Sequence, residues 1–379
     1  MKIVYTIAGT YRAAGMERVL ADKTAWLCSH GYEVVVVTTE QKGREPAFEM
    51  DPSIRMVDLD IGYEDNNGGS FFSKLVKYPF KQIKHRRLLS ALLMREKPDI
   101  VDSMFCNDES FLPKIKDGSK KVLEVHFSRF KRMQYGRKGI WALADKYRSK
   151  QDLRHIAKFD RFVVLTEEDK TYWGNLTNIE VIQNSIPGKA ETPSSLGSNT
   201  VVYIGRMSYQ KSVDRLVDAW KIVCDTLGKD HGWKLRLVGD GEMRPSLEKQ
   251  VSDFGLSDTV EFSGVVKDME SVYASSSILA LSSRYEGLPM VLLEAQAHGV
   301  PAVSFACKCG PRDIITDEEN GLLVEEGDIK GLADALVSLM KYPERLKAMG
   351  KAAYEDSMRW DRNVIMMHWN SLFINLVGS

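Results

Sequence analysis

The sequence predicts an α/β protein of two domains, each a parallel sheet covered by helices, and three observations carry that expectation. Strand-like and helix-like patterns alternate through the first half of the chain. A stretch rich in Pro, Gly and Ser, residues 184–199, then interrupts them and holds no apolar run. After it the alternation starts again. Alternation of this kind implies parallel strands joined by crossover helices. Two such halves with a linker between them predict a ligand site at strand ends, in a cleft between domains.

In the first half, residues 2–7, 33–39, 54–59, 100–104, 121–126, 162–166 and 179–183 read as strands. Residues 15–30, 72–96 and 141–157 read as helices, and Pro79 is expected to interrupt the second of these. Residues 62–69, with three glycines and two asparagines, read as a mobile loop. In the second half, residues 201–204, 234–238, 260–262, 278–282, 302–305 and 321–324 read as strands with helices between them. The tail after Pro343 is helical by pattern and carries Trp360, Trp369 and Phe373.

A chain of 379 residues is long enough for two domains with full cores. No apolar run approaches the roughly 18 residues that span a bilayer. The opening residues, Met1 to Ile7, are too short for a signal peptide and read as a first strand. The five cysteines (Cys28, Cys106, Cys224, Cys307 and Cys309) are odd in number and scattered, which fits a reducing compartment. Cys307-Lys308-Cys309 lacks the second pair a metal site needs and reads as small, partly buried thiols after a strand. Net charge is zero but uneven: residues 1–187 hold 31 Lys/Arg against 25 Asp/Glu. Residues 71–158 hold 22 against 9, and a basic concentration of that size suggests an anionic partner.

The most informative stretch is Ser283-Arg284-Tyr285-Glu286-Gly287-Leu288-Pro289-Met290-Val291-Leu292-Leu293-Glu294-Ala295. The apolar run before it makes the unit strand, turn, helix, and Pro289 suits a first helical turn. The free N–H groups and dipole of that helix end form an anion site. Glu286 and Glu294 flank it, and carboxylates accept hydrogen bonds from hydroxyls. A nucleotide sugar carries hydroxyls on both sides of its diphosphate. The plainer reading is two solvated carboxylates. Arg206 follows the 201–204 strand after Gly205, and Lys211 follows five residues later, at a strand end where two cations can neutralise a diphosphate. Leu237-Val238-Gly239-Asp240-Gly241 ends the next strand in a turn open to close backbone approach. His126 closes a first-domain strand, and Gly15 opens a helix after the first strand. Aromatic and basic residues mix between Phe71 and Arg87, and Arg129, Lys131, Arg132, Arg137 and Lys138 follow His126. Such faces suit an anionic membrane surface or a lipid-linked phosphate, or are simply a solvated helix face. No motif of a nucleic-acid fold is present.

The Glu286–Glu294 segment resembles the Glu-x7-Glu motif of the retaining glycosyltransferases of family 4. That resemblance implies the GT-B fold, two Rossmann-like domains facing across a deep cleft. It places them at residues 1–187 and 188–359, with the last helix, 360–379, crossing back to the first. It implies that Glu286 contacts the donor sugar and Glu294 the ribose, with Arg206 and Lys211 on the diphosphate. Gly239, Gly241 and the segment ending at Val265 would lie near the nucleotide, together with the turn Gly287, Leu288, Pro289 and Met290. His126 matches a histidine near the donor sugar. Gly15 matches the second glycine of Gly-Gly-x-Glu-Arg-Val, where Ala14 replaces the first and Glu17 reads as a first-turn helix charge. Met207 and Ser212 depart from the usual Gly-Arg-Leu and Lys-Gly, and Asp313 replaces a glutamate in Gly-Pro-x-Glu-Ile-Ile. Gly310, Pro311 and Gly321 match positions that support the motif helix. The resemblance further implies a UDP-sugar donor, GDP-mannose being the other candidate. It implies same-face attack, with a donor phosphate oxygen taking the acceptor proton, and no metal or other cofactor. The acceptor would be a growing lipid-linked glycan of a surface polysaccharide or lipopolysaccharide. The protein would be cytoplasmic, or peripheral on the inner face of the cell membrane. A UDP-sugar epimerase of the same fold and a catalytically silent, membrane-associated binding subunit are the competing expectations.

Overall fold

The computed structural model describes residues 1–12, 14–66, 71–129, 149–228 and 230–378, with every side chain among them except those of 66 and 71–76. Lys131, Arg132, Arg137, Lys138, positions 67–69 of the expected loop and positions 141–148 of the expected helix lie outside the described residues.

Strands β1 (Lys2–Ile7), β2 (Glu33–Thr38), β3 (Arg55–Asp58), β4 (Ile100–Ser103), β5 (Lys120–Glu124), β6 (Arg161–Val164) and β7 (Ile179–Val181) form one sheet, in the order β3-β2-β1-β4-β5-β6-β7. All its pairings are parallel. Central β1 is apolar almost throughout, as a parallel strand covered on both faces must be. Strand alternation divides its side chains between two layers. Ile3, Tyr5 and Ile7 pack with Leu20 and Leu27 of the helix Gly15–Ser29 and with Trp369 and Phe373 of the final helix, Arg362–Val377. Val4 turns to the other face, against Leu89, Leu92 and Leu93 of the helix Phe71–Glu96. Each such fully buried side chain contributes about 1.5–3 kcal/mol.

The second sheet holds β8 (Thr200–Ile204), β9 (Lys234–Val238), β10 (Val260–Gly264), β11 (Ile278–Leu281), β12 (Ala302–Phe305) and β13 (Gly321–Val324), in the order β10-β9-β8-β11-β12-β13. It too is parallel throughout. The helix Val213–Leu227 buries Leu216, Val217, Trp220 and Val223 completely.

The chain divides into two compact units, Met1–Gln183 with Ile365–Ser379, and Asn184–Val364. Residues 184–199 are no free linker. Ile186 N–H donates to the Trp360 carbonyl at 2.9 Å, Ala190 N–H to Ala297 at 3.0 Å and Ser194 N–H to His298 at 2.8 Å, which ties the segment into the second unit. Composition cannot show such backbone bonds. Trp360 belongs to that unit as well, its Nε1 donating to Gln296 Oε1 at 2.9 Å. Only residues from Ile365 onward join the first unit.

The expected break at Pro79 does not occur, because the helix Phe71–Glu96 runs through it. Pro79 is exposed, so water can satisfy the carbonyl its ring leaves free. Part of the expected mobile loop is ordered: Tyr63–Asn66 is a 3₁₀ turn. Most strands end one or two residues early, which leaves His126 beyond β5 rather than on it.

Candidate active site

In each sheet the strand order reverses at one point, between β1 and β4 and between β8 and β11. The carboxyl ends of the strands flanking such a point form a ligand crevice in open α/β sheets. In the second unit the loops after β8 and β11 meet there. Arg284 N–H donates to the Gln210 carbonyl at 2.9 Å, and Gln210 Nε2 to the Tyr285 carbonyl at 2.9 Å. Ser282 Oγ donates to the Lys211 carbonyl at 3.1 Å. This lacing brings Lys211 Nζ to 2.7 Å from Glu286 Oε1, with the two side chains 21% and 6% exposed. Beneath the pair, Tyr203 gives its hydroxyl proton to the Arg206 carbonyl at 3.0 Å. Burial, with the Glu286 charge added, pushes the Tyr203 pKa well up, so it stays a donor.

Gly239 and Gly241 are required by the protein's own backbone. A Cβ on Gly239 would lie 2.1 Å from the Gly205 carbonyl oxygen, and one on Gly241 would lie 2.3 Å from that of Met207. They let the loops after β8 and β9 pack chain against chain. Arg206 does not join Lys211: its side chain is 76% exposed and lies 3.5 Å from Glu242. Val265 is 77% exposed just past β10.

The motif helix runs Met290–Ala297, so Pro289 is its extended N-cap rather than its first turn. No side chain caps that end. The Leu288 side chain is buried beside that end. Pro289 is braced from behind, where a Cβ on Gly310 would lie 2.4 Å from its Cδ. Glu294 accepts the Tyr273 hydroxyl at 2.6 Å, and the Tyr273 ring stacks on His298 with centroids 4.9 Å apart. The Tyr273 hydroxyl therefore orients the carboxylate. Cys307 and Cys309 are fully rather than partly buried.

In the first unit Gly15 is exposed and opens a helix whose N-cap, Ala14, offers no side-chain acceptor. His126 follows β5 with its Nε2 3.3 Å from Glu124 Oε2, and its side chain is 6% exposed. Glu17 is not a plain surface charge. It is 7% exposed, and burial raises its carboxyl pKa against the opposing pull of its own backbone N–H, Arg12 and His126.

Lys23, Asp102 and Glu124 were absent from the sequence-based site. Lys23 Nζ lies 2.9 Å from Glu124 Oε2 and 3.3 Å from Asp102 Oδ2, with side chains 3%, 2% and 0% exposed. The signal was available: Asp102 and Glu124 are charged residues inside the apolar runs that end β4 and β5, and Lys23 lies on the buried face of a helix. Burial and the neighbouring Glu124 raise the Asp102 pKa to about 8. For Glu124 burial pushes upward, but Lys23 and His126 outweigh it and hold the pKa at about 2.

Two family models match the chain in succession. "Glycosyltransferase Family 4" matches residues 13–187 and "Glycosyl transferases group 1" matches residues 188–356. The amylovoran biosynthesis glycosyltransferase AmsD of Erwinia amylovora is 34% identical over 56% of this chain and 62% of its own length. An exopolysaccharide phosphotransferase of Streptomyces coelicolor is 37% identical over 58% of this chain, but only 24% of that protein is matched. The chain thus spans less than two thirds of these two relatives. The lipopolysaccharide 1,6-galactosyltransferase of Escherichia coli is 28% identical over 89% of this chain and 88% of its own. Among solved structures, sucrose-phosphate synthase from Thermosynechococcus elongatus covers 100% of this chain and 99% of its own with TM-score 0.83 at 19% identity. S. aureus TarM, in a complex that includes UDP, covers 100% of both chains with TM-score 0.77 at 17% identity. At such identities these likenesses show the fold, which is GT-B. With its first unit matched by one family model and its second by the other, the chain belongs to the family 4 glycosyltransferases.

Proposed function

We propose that the protein transfers a hexose or N-acetylhexosamine from a UDP-sugar to a glycan or lipid-linked acceptor in surface polysaccharide or lipopolysaccharide synthesis, with retention at the anomeric carbon. The observation that carries this reading is the largely buried Lys211–Glu286 pair at the reversal point of the second sheet. A diphosphate there meets the Lys211 ammonium and the uncapped N–H groups that open the helix at Met290, with exposed Arg206 free to swing in. Glu286 accepts from donor-sugar hydroxyls and Glu294 from ribose hydroxyls. Gly239, Gly241 and Val265 border the nucleoside. Within the first unit, the motif resemblance alone assigns Gly15 a backbone N–H role and His126 a sugar-hydroxyl role. The reading assigns charge neutralisation to these groups and calls for no resident metal or other cofactor.

In the reaction, the bond from the anomeric carbon to the phosphate oxygen breaks and a bond to the acceptor oxygen forms on the same face. The acceptor proton passes to a donor phosphate oxygen. The names of the relatives, which concern amylovoran and lipopolysaccharide, favour a surface glycan as acceptor. UDP in the TarM complex favours uracil as the base.

A thermal-shift panel of UDP, GDP, ADP and their common sugar conjugates tests the donor. At a hundredfold excess over Kd, stabilisation of about 2.7 kcal/mol is expected for UDP species only. Absence of any shift at millimolar ligand removes the donor reading and leaves a non-catalytic binding subunit.

We assign membrane contact to the exposed face of the helix Phe71–Glu96. Phe80 is 70%, Ile83 66% and Met94 52% exposed, beside exposed Lys77, Lys84, Arg86 and Arg87. Apolar and cationic side chains on one face suit an anionic interface. Among the described residues no helix is long and apolar enough to cross a membrane. Reversal of Lys77, Arg86 and Arg87 to Glu is expected to abolish flotation with phosphatidylglycerol vesicles, and unchanged flotation excludes this face.

A further inference from the structure

We propose that Glu124 is a positioning residue for His126, its carboxylate anchored by Lys23 so that it holds the imidazole at the carboxyl edge of the first sheet. The inference rests on the role given to His126 above and adds a residue that the motif resemblance does not touch.

The geometry is specific. Glu124 is the last residue of β5, and His126 follows two residues on, outside the sheet. One oxygen, Glu124 Oε2, receives Lys23 Nζ at 2.9 Å and lies 3.3 Å from His126 Nε2. Beyond that approach, neither nitrogen of the buried imidazole has a hydrogen-bond partner among the described residues. Glu124 Oε1 and Asp102 Oδ1 are likewise buried without one. Native proteins leave few buried polar atoms unpaired, and those that remain call for an explanation.

Lys23 is fixed in turn from a third side. The Trp369 ring centroid lies 3.1 Å from its ammonium, and the Tyr5 ring lies 5.1 Å away. Glu17, from the same helix as Lys23, brings a second carboxyl within electrostatic reach of His126. The titratable groups around the imidazole are thus Glu124, Lys23, Asp102 and Glu17.

An ion cluster like this is an expensive way to fill a core. Well-packed apolar residues of similar volume are often as stable or more so. Val122, Leu123 and Val125 show that β5 and its exit accept apolar residues on either side of Glu124. The carboxylate is placed where the chain must turn an imidazole out of the strand and hold it still. Hydrogen-bonded supports of that kind keep functional groups within the tolerance that chemistry needs.

The test uses the full chain labelled at histidine Cε1. There are seven histidines, and His126 is assigned by its loss in His126→Gln. Glu124→Gln is expected to move and broaden the His126 resonance and leave the other six in place. A His126 resonance that stays where it is overturns the proposal. Should Glu124→Gln fail to fold, Glu124→Asp, which keeps the charge but withdraws it by one methylene, is expected to give a smaller displacement of the same resonance.

A double-mutant cycle on turnover of UDP-glucose, UDP-galactose and UDP-N-acetylglucosamine separates positioning from general stability. Glu124→Gln alone is expected to lower kcat about tenfold with little change in KM. In the His126→Ala background the same exchange is expected to cost nothing more. Losses that multiply overturn the proposal, since they mean Glu124 acts without His126. Parent-level turnover in His126→Ala alone instead removes the role given to His126 and leaves the resonance to decide whether Glu124 holds the ring.

Discussion

Lys211→Ala is expected to lower donor turnover by about 10²–10³-fold, the cost of removing one preorganised charge from a departing oxyanion. In water a lone lysine would give far less. Here the ammonium sits 2.7 Å from a carboxylate that is itself 6% exposed, so it is held in place with little left to reorganise. The unfolding midpoint should fall by only roughly 2–4 °C, because a pair with one partly exposed member contributes about 1 kcal/mol in a unit of this size. Lys211→Arg should recover part of the turnover, since it restores the charge in a broader shape. The check is kcat and KM for each variant beside its thermal unfolding curve. Parent-level turnover in Lys211→Ala would take Lys211 off the phosphate.

Lys23→Met is expected to destabilise the first unit by about 3–5 kcal/mol near neutral pH, because breaking a buried ion pair strands the remaining charge. Lys23 touches two carboxylates, and the shorter contact, 2.9 Å, selects Glu124 as the ionised member. Asp102, raised to about 8 by burial and by Glu124, carries a proton at pH 7. Methionine in place of lysine leaves Glu124 charged at a buried site, with His126 and protonated Asp102 beside it and no ammonium. Denaturant unfolding measures the loss, and a cost under about 1 kcal/mol would mean that water reaches the cluster freely.

The same groups set a pH dependence. A carboxyl whose folded pKa is raised contributes its stability fully below the unfolded value and loses it as pH rises through the folded one. The contribution of Asp102 therefore declines from about pH 4 to pH 8. Glu124 works oppositely: its contribution is present above the unfolded carboxyl value and is lost only as pH falls toward 2.

Much of the fold was legible because it is written in short-range pattern. Apolar runs such as Ile3-Val4-Tyr5 and Ile278-Leu279-Ala280-Leu281 are buried on both faces of their sheets. Strand ends were less legible, since the last ladder bond depends on the neighbouring strand, and His126 was placed on β5 for that reason. Pro79 misled because propensity is local, and packing of Leu89, Leu92 and Leu93 of the same helix into the core outweighs its cost. Gly239 and Gly241 were read as a turn open to close backbone approach, and the structure shows which backbone approaches, the carbonyls of Gly205 and Met207. Arg206 and Lys211 read alike in the sequence, yet one pairs with buried Glu286 and the other lies exposed near Glu242.

By itself the sequence determined two parallel α/β halves and a strand-turn-helix unit carrying Glu286 and Glu294, because hydrophobic period and turn chemistry are local. Tertiary structure alone decided which charges meet. Lys211 finds Glu286 across 75 residues and Lys23 finds Glu124 across 101, each bridged by a strand order that no local pattern specifies. Burial then separates residues of the same type. It keeps a proton on Asp102, while Lys23 and His126 hold the charge on Glu124 against the same burial, and it turns a helix-face lysine into the anchor of that carboxylate.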